Sequence, residues 1–218
     1  PENRANHAKD IHDMFSSLHD SFKEEHGTDL FGKGKKALYN GTAFSGSTKH
    51  FLNKSIDNEE FTKHKPSVGD VDVMVPREHF DHLVKHLTPG KQFGKYTIVG
   101  VKKMGDAHAL MRHENGEVHQ IDFEKSSYKN DEPDQGSQFL HSSDWTDNKM
   151  GIKGMHHKLL INAAGLDHHK FSAMYGVKSR IDDSQPWESH PREITKTLFS
   201  SKADANKVQS FRGVTQLI

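Results

Sequence analysis

The 218-residue chain contains no cysteine. Disulfide cross-links and zinc sites with thiolate ligands are therefore excluded. The chain is also poor in hydrophobic residues, which make up 32% of it, and its mean hydropathy is −0.85. Because the apolar residues that are present recur with regular spacing, we expect a folded protein with long polar surface segments rather than a disordered one.

An excess of charge of either sign is absent too, since 30 Lys and Arg residues balance 30 Asp and Glu residues. The balance provides no overall attraction to nucleic acid or to a membrane surface, so any basic surface has to be local. No apolar run approaches the ~20 residues that cross a bilayer, and the first residues lack the apolar core of a secretory signal peptide. We therefore expect a cytoplasmic protein with no membrane partner.

Periodic segments divide the chain into three parts. Apolar residues at spacings of three and four predict an amphipathic helix within residues 1–27. Residues 28–125 contain several predicted strands and one predicted helix, REHFDHLVKHL. Residues 126–218 begin with a predicted loop, KNDEPDQGSQ, and continue as mainly helical sequence. This order predicts an α+β fold, with a small mixed β-sheet core flanked by helices and a C-terminal helical region.

Acidic residues interrupt two of the predicted strands. The segment DVDVMV alternates strictly, with Asp70, Asp72 and Met74 on one face and three valines on the other. A later strand, EVHQIDFE, follows an Asn-Gly turn and again places an acid, Asp122, within an apolar pattern. Upstream, ALYNGTAFSG predicts a strand that ends in a glycine turn.

Two aspartates one residue apart on a strand point the same way, with their Cα atoms roughly 6.5–7 Å apart. Such carboxylates raise each other's pKa unless a cation lies between them. Donor sets made only of oxygen suit a hard divalent ion such as Mg²⁺, which shares its coordination sphere with water and substrate phosphates. An edge strand with a solvated acidic face is the alternative interpretation of this pattern.

The turn before these strands has groups that could bind phosphate. Gly46 allows close backbone approach, and the hydroxyl and N–H groups of Ser47 and Thr48 can bind phosphate oxygens at a turn into a helix. Lys49 would add positive charge. By itself, Gly-Ser-Thr is a common loop sequence.

Together, these three features resemble the DNA-polymerase-β-like nucleotidyltransferase superfamily over roughly residues 38–125. The resemblance implies that the Gly-Ser turn holds a nucleoside triphosphate and that the paired aspartates bind two divalent ions, Mg²⁺ or Mn²⁺. It also implies that the third aspartate completes the second metal site and helps to activate the acceptor hydroxyl. The matching positions are Gly46, Ser47, Asp70, Asp72 and Asp122.

The chain departs from the superfamily in the connection between the turn and the first aspartate, which is usually much shorter. We interpret residues 53–69 as an insertion on the active-site side that could shape the choice of acceptor.

A later helix, GIKGMHHKLLINAAG, extends the resemblance. Members of the superfamily often supply a lysine to the triphosphate from a helix after the catalytic strands, which implies this role for Lys158 or Lys153. A solvated basic face is the alternative for both lysines. The spacing of four apolar residues predicts the stripe of this helix that faces the core, namely Ile152, Met155, Leu159 and Ala163.

The resemblance implies a metal-dependent nucleotidyltransferase that moves a nucleoside monophosphate from an NTP to a hydroxyl of RNA, of a protein or of a small molecule, and releases pyrophosphate. Two alternatives stay open, a member of the fold that binds nucleotide or RNA without turnover, and a structural or interaction protein. The expected catalytic and metal-binding residues are Asp70, Asp72 and Asp122, and the expected nucleotide-binding residues are Gly46, Ser47, Thr48, Lys49, Lys153 and Lys158.

Overall fold

The structure, a computed structural model, describes residues 2–52 and 70–218. The insertion predicted at 53–69 lies outside the described residues. The chain divides into two compact units, Pro1–Pro133 and Asp134–Ile218. Within the described ranges, no helix is both long enough and apolar enough to cross a membrane.

The first unit begins with the predicted amphipathic helix, α1 (Glu2–His26). Its apolar stripe is buried, because residues at spacings of three and four return to one face of a helix. The stripe consists of Ile11, Met14, Phe15, Leu18 and Phe22. Shorter helices follow, namely α2 (Lys36–Tyr39), α3 (Gly46–Leu52) and α4 (Phe80–His86), with 3-10 turns at Lys33–Lys35 and Arg77–His79.

A curled five-stranded mixed sheet forms the centre of this unit, as the sequence predicts for an α+β fold. The strand order is β1-β5-β4-β3-β2, in which β1 and β5 are parallel and the other neighbours are antiparallel. The strands are β1 (Asp70–Pro76), β2 (Gln92–Phe93), β3 (Tyr96–Met104), β4 (Asp106–His113) and β5 (Val118–Ser126).

The alternation predicted for the two acidic strands is confirmed on their inner faces. The three valines of β1 are buried, and so are Ile121 and Phe123 of β5. The ring of Phe15 on α1 packs edge-on against Phe123, with the centroids 6.3 Å apart. Met74 is also buried, although the alternation predicts it on the face of the aspartates. The Tyr128 hydroxyl donates a hydrogen bond to the Met74 carbonyl, 2.7 Å away, so a neighbouring segment lies close to this end of the strand.

The strand predicted for residues 37–46 is mostly wrong. Its first part belongs to α2, and the side chain of Asn40 then accepts a hydrogen bond from the Thr42 N–H, which forms a tight turn. Pairing with β1 begins only after the turn. Phe44 forms an isolated antiparallel bridge with Val73, and the Met74 N–H donates to the Ala43 carbonyl at 2.7 Å.

The segment predicted as a loop, KNDEPDQGSQ, contains regular structure. Strands β6 (Tyr128–Lys129) and β7 (Glu132–Pro133) form a two-residue hairpin, whose turn places Asn130 and Asp131 at positive φ. The first helix of the second unit follows directly and is capped by Asp134.

The second unit, Asp134–Ile218, is mainly helical, as predicted, with one hairpin that the sequence analysis did not predict. A small apolar core includes Phe139, Ile161, Val177 and Ile194. The helices are α5 (Gln135–Leu140), α6 (Trp145–Lys149), α7 (Gly154–Ala164), α8 (Pro191–Leu198) and α9 (Phe211–Thr215), with a 3-10 turn at Ala205–Gln209, and the hairpin is β8 (His169–Ser172) with β9 (Gly176–Ser179).

The core-facing stripe predicted for α7 is wrong. Met155 and Leu159 are 62% and 59% exposed, Ala163 is exposed, and Ile152 before the helix is only half-buried. The helix buries His157, Lys158 and Ile161 instead. The polar groups on this face can be buried because they have partners. The His157 Nε2 lies 2.6 Å from the Val208 carbonyl, and the Lys158 amine donates to the Ser142 carbonyl at 3.0 Å.

Candidate functional site

Parallel pairing of β1 with β5 brings the predicted acidic residues together. The register places Asp72 directly opposite Asp122, and Asp70 opposite Gln120. Both strands bury their apolar side chains on the other face, so the three aspartates lie on the same face of the sheet. Asp70 is exposed, Asp72 is half-buried, and the side chain of Asp122 is 14% exposed.

The Gly-Ser turn lies directly beside Asp72. Gly46 has a φ of 54°, and a Cβ atom at this position would come within 2.9 Å of the Asp72 Oδ2. The positive φ favours glycine, and a larger residue here would also push the Asp72 carboxylate out of its position. The backbone of Asp72 is fixed from the same side, because its N–H donates to the Thr48 hydroxyl oxygen at 2.8 Å and its carbonyl accepts from the Ser45 N–H at 3.3 Å.

The other residues predicted to bind the nucleotide in this region lie on α3. Ser47 is half-buried near the start of the helix, Lys49 is exposed, and Thr48 is fully buried. The Thr48 hydroxyl faces β1, where it accepts the hydrogen bond from the Asp72 N–H. The nucleotide-binding roles of these three residues stay predictions.

A histidine that the sequence analysis did not include contacts Asp122. His108 on β4 pairs with Asp122 across the antiparallel ladder, and its Nδ1 lies 2.6 Å from the Asp122 Oδ1. The Gln120 side-chain amide donates to the same oxygen at 2.8 Å. The Asn-Gly turn alone does not predict this pair, because a two-residue turn would place Ala109 opposite Asp122. The observed connection has three residues between His113 and Glu117, and this register brings His108 to Asp122.

A fourth carboxylate, Glu124, extends the acidic face along β5. Its Oε1 accepts a hydrogen bond from the Ser45 hydroxyl at 2.6 Å, which connects β5 to the residue just before Gly46. Glu124 lies two residues after Asp122, so the side-chain alternation of β5 places both on the same face.

Electrostatic repulsion is concentrated on Asp72. Burial raises its pKa to about 8, and the negative charges of Glu124, Asp122 and Asp70 and a hydrogen bond with Asp122 add to the effect. The charged carboxylate is therefore unfavourable in this environment unless a cation is supplied. The all-oxygen donor set fits a hard divalent ion, Mg²⁺ or Mn²⁺. The carboxylate oxygens of Asp70, Asp72 and Asp122 do not all lie within 4.8 Å of one another.

The two predicted phosphate-binding lysines belong to the second unit, whereas the other predicted site residues belong to the first. Lys153 is exposed and precedes α7 as its N-cap residue. Lys158 is 7% exposed, and its amine contacts the carbonyl and hydroxyl oxygens of Ser142 and the His157 Nδ1. Burial lowers the Lys158 pKa to about 8. Contact of either lysine with a triphosphate stays a prediction.

Comparison of the chain with protein-family models, with curated proteins and with solved structures found no match. The acidic sheet face has Gly46, Ser45 and His108 as its neighbours.

Proposed function

We propose that the protein is a metal-dependent nucleotidyltransferase that moves a nucleoside monophosphate from an NTP to an acceptor hydroxyl. The observation that carries the proposal is the pairing of Asp72 with Asp122 on adjacent parallel strands, beside Gly46, where a Cβ atom would come within 2.9 Å of the Asp72 Oδ2. The fold holds these like charges close together, and the pKa of Asp72 is raised to about 8. Both conditions favour the binding of a cation at this position.

Asp70, Asp72 and Asp122 would hold the divalent ions, which neutralise phosphate charge and lower the pKa of an attacking hydroxyl. The chain itself contributes positioning. Hydrogen bonds to its backbone N–H and carbonyl hold Asp72 against the turn. Gly46 keeps one side of the Asp72 carboxylate free of side-chain atoms, which would let a phosphate group approach.

His108 and Gln120 would act as positioning residues for Asp122. Both contact the same oxygen, Oδ1, so they fix the orientation of the carboxylate on the strand. A carboxylate held by two hydrogen bonds loses less conformational freedom when it receives an ion or an acceptor hydroxyl. This arrangement supports a role for Asp122 on the acceptor side of the reaction.

A non-catalytic member of the same fold, which binds nucleotide or RNA without turnover, is the second candidate. It is favoured by the spread of the three aspartates, whose oxygens do not all lie within 4.8 Å of one another. Both candidates require nucleotide binding at the acidic face, and they differ only in whether a phosphate bond is broken.

The decisive experiment incubates the purified protein with each α-labelled NTP, Mg²⁺ or Mn²⁺, and a cell extract as the source of acceptors. Label transferred to a macromolecule or small molecule, with release of pyrophosphate, is the expected result. The matched pair of variants is Asp72→Asn, which should abolish transfer, and Asp13→Asn, which removes an exposed aspartate of the same unit and should not affect it.

The outcomes separate the candidates. Metal-dependent stabilisation by an NTP without pyrophosphate release would support the non-catalytic candidate. Absence of both binding and transfer, with wild type and Asp72→Asn indistinguishable in metal-dependent thermal stability, would refute both.

A further inference from the structure

A second group of potential metal ligands lies in the first unit, on other elements than the acidic sheet face. In the described part of the chain, Glu25, His26 and His86 form the one group of three carboxylate or imidazole side chains whose ligand atoms all lie within 4.8 Å of one another. Glu25 and His26 are the last residues of α1, and His86 is the last residue of α4. The cluster thus joins the ends of two helices.

The charge at these helix ends favours a cation. Carbonyl groups at the C-terminus of a helix carry partial negative charge, and here two C-termini converge on one carboxylate. In the structure, the positive charge of Lys91 balances this negative charge. Its amine lies 3.7 Å from Glu25 Oε2, 3.3 Å from the His86 Nδ1 and 3.3 Å from the His86 carbonyl.

The two imidazoles are suited to coordination. The Nε2 of His26 is buried, has no hydrogen-bond partner among the described residues, and lies 4.0 Å from the Glu25 Oε1. A buried ring nitrogen without a hydrogen-bond partner is available to coordinate a metal ion. The Nδ1 of His86 contacts the other Glu25 oxygen in a short hydrogen bond. A metal ion could replace the proton of this bond.

The surroundings of His86 resemble those of a metal-bound histidine. Its second nitrogen, Nε2, lies 2.9 Å from the Ser21 hydroxyl oxygen, which can accept a hydrogen bond from an Nε2–H group. In that tautomer the Nδ1 carries no proton and is free for the metal. The Phe22 ring packs against both imidazoles, with centroid distances of 4.5 Å to His26 and 5.7 Å to His86. An apolar wall of this kind limits access of water to a coordinated ion.

We propose that Glu25, His26 and His86 form a binding site for a transition-metal ion of the Zn²⁺ type, which displaces the Lys91 amine and links the end of α1 to the end of α4. Two imidazoles and one carboxylate are a donor set that Zn²⁺ uses with water in the fourth position. The site differs from the acidic sheet face in its ligands, since nitrogen donors select against Mg²⁺. It does not depend on the proposed transferase activity.

The test is a titration of the full chain with Zn²⁺ alone, by calorimetry, in an Asp72→Asn background that disables the acidic face. One tight equivalent is expected. Glu25→Gln and His26→Ala should each weaken it by at least ~10-fold, because each removes a ligand. His168→Ala removes an exposed histidine of the second unit and should leave the Zn²⁺ affinity unchanged. This control is needed because the chain has 18 histidines that could bind Zn²⁺.

Further measurements test the ligand type and the displacement of lysine. Co²⁺ bound in place of Zn²⁺ should give visible absorption typical of a low-coordinate nitrogen and oxygen site, and His26→Ala should remove it. Lys91→Met should tighten Zn²⁺ binding, since no ammonium then competes for Glu25. Equal affinity in the Asp72→Asn parent and in its Glu25→Gln and His26→Ala variants would overturn the site, and so would absence of tight binding in both the parent and its Lys91→Met variant. Unchanged affinity in Lys91→Met would overturn the displacement.

Discussion

Two aspartates, Asp147 in the second unit and Asp72 in the first, lie in opposite electrostatic surroundings. In the second unit, the buried Asp147 accepts hydrogen bonds from the backbone N–H groups of Phe211 and Arg212, and the Lys158 amine has oxygen partners on Ser142. In the first unit, the charges that most affect Asp72 are all negative. A buried charge with hydrogen-bond partners inside the protein has a structural role. A charge surrounded by like charges is typical of a functional site that binds an ion of opposite charge.

The comparison predicts that removal of a charged side chain has different effects at the two positions. Removal of a charge from the acidic face of the first unit should remove function and preserve stability. Removal of the buried Asp147 from the second unit should lower stability, because its partners would be left buried without a replacement.

The largest effect is expected on activity. Asp72→Asn should lower kcat for nucleotidyl transfer by at least ~10²-fold, because it deletes a metal ligand at the position where charge develops on the phosphates. The rate of pyrophosphate release at saturating NTP and Mg²⁺ measures this loss. The far-ultraviolet circular dichroism of the variant should match that of the wild type.

Asp13→Asn is the control for this variant, since it makes the same chemical change at an exposed position on α1. A similar loss in both variants would mean that the effect is not specific to the acidic face. Normal turnover by Asp72→Asn would exclude this residue from the site.

The next effect is on the stability of the second unit. Asp147→Ala should lower the free energy of unfolding by about 2–3 kcal/mol, because the N–H groups of Phe211 and Arg212 at the start of α9 lose their acceptor. Urea unfolding followed by tryptophan fluorescence measures the change.

Asp183→Ala is the matched control in the same unit. The Asp183 side chain is 88% exposed, and its ion pairs with Lys170 and Lys178 are open to solvent. Its removal should change the free energy of unfolding by no more than about 0.5 kcal/mol. An equal loss in the two variants would show that Asp147 has no special structural role.

The sequence alone was sufficient to predict the strands that carry the acidic face. The alternation around Asp72 in β1 and around Asp122 in β5 assigns both residues to the face opposite the buried valines, Ile121 and Phe123, because the side-chain period of a strand is two. The parallel register that sets Asp72 against Asp122 depends on how strands distant in sequence pair, and alternation carries no information about it.

Helix α7 illustrates the opposite case. Its sequence has apolar residues on more than one face, so periodicity admits two orientations, and the predicted one was wrong. The orientation observed is decided by partners elsewhere in the unit, the Val208 carbonyl for His157 and Ser142 for Lys158. A buried lysine becomes predictable only when its acceptors are known.

The third prediction concerns pH and the stability of the acidic face. Because the pKa of Asp72 is raised to about 8 from 3.8, the folded state keeps a proton that the unfolded state releases in this range. Wild-type stability in EDTA should therefore decrease between about pH 4 and pH 8 and then level off. Asp72→Asn lacks this titration, so its Tm should exceed that of the wild type by about 5 °C at pH 8 and by less at pH 5.

Thermal melts at the two pH values, with and without Mg²⁺, provide the measurement. Mg²⁺ should raise the Tm of the wild type at pH 8 and leave that of Asp72→Asn nearly unchanged, because only the wild type has the full ligand set. A difference in Tm that is the same at both pH values would contradict the raised pKa.

The smallest effect is expected from the residue that orients Asp122. His108→Ala should lower kcat by about 10-fold and leave the KM for NTP nearly unchanged, because Asp122 keeps its charge and its hydrogen bond from Gln120 but loses one of two contacts to Oδ1. Arg112→Ala, an exposed position on the same strand, is the control and should have no effect.

A double-variant cycle decides whether His108 acts through Asp122. If it does, His108→Ala should have little further effect once Asp122→Asn is present, since the carboxylate that it positions is gone. If the two losses multiply instead, His108 affects the reaction independently, for example by direct contact with the acceptor. The pair would then not be a positioned carboxylate, and the acceptor side of the site would include the imidazole itself.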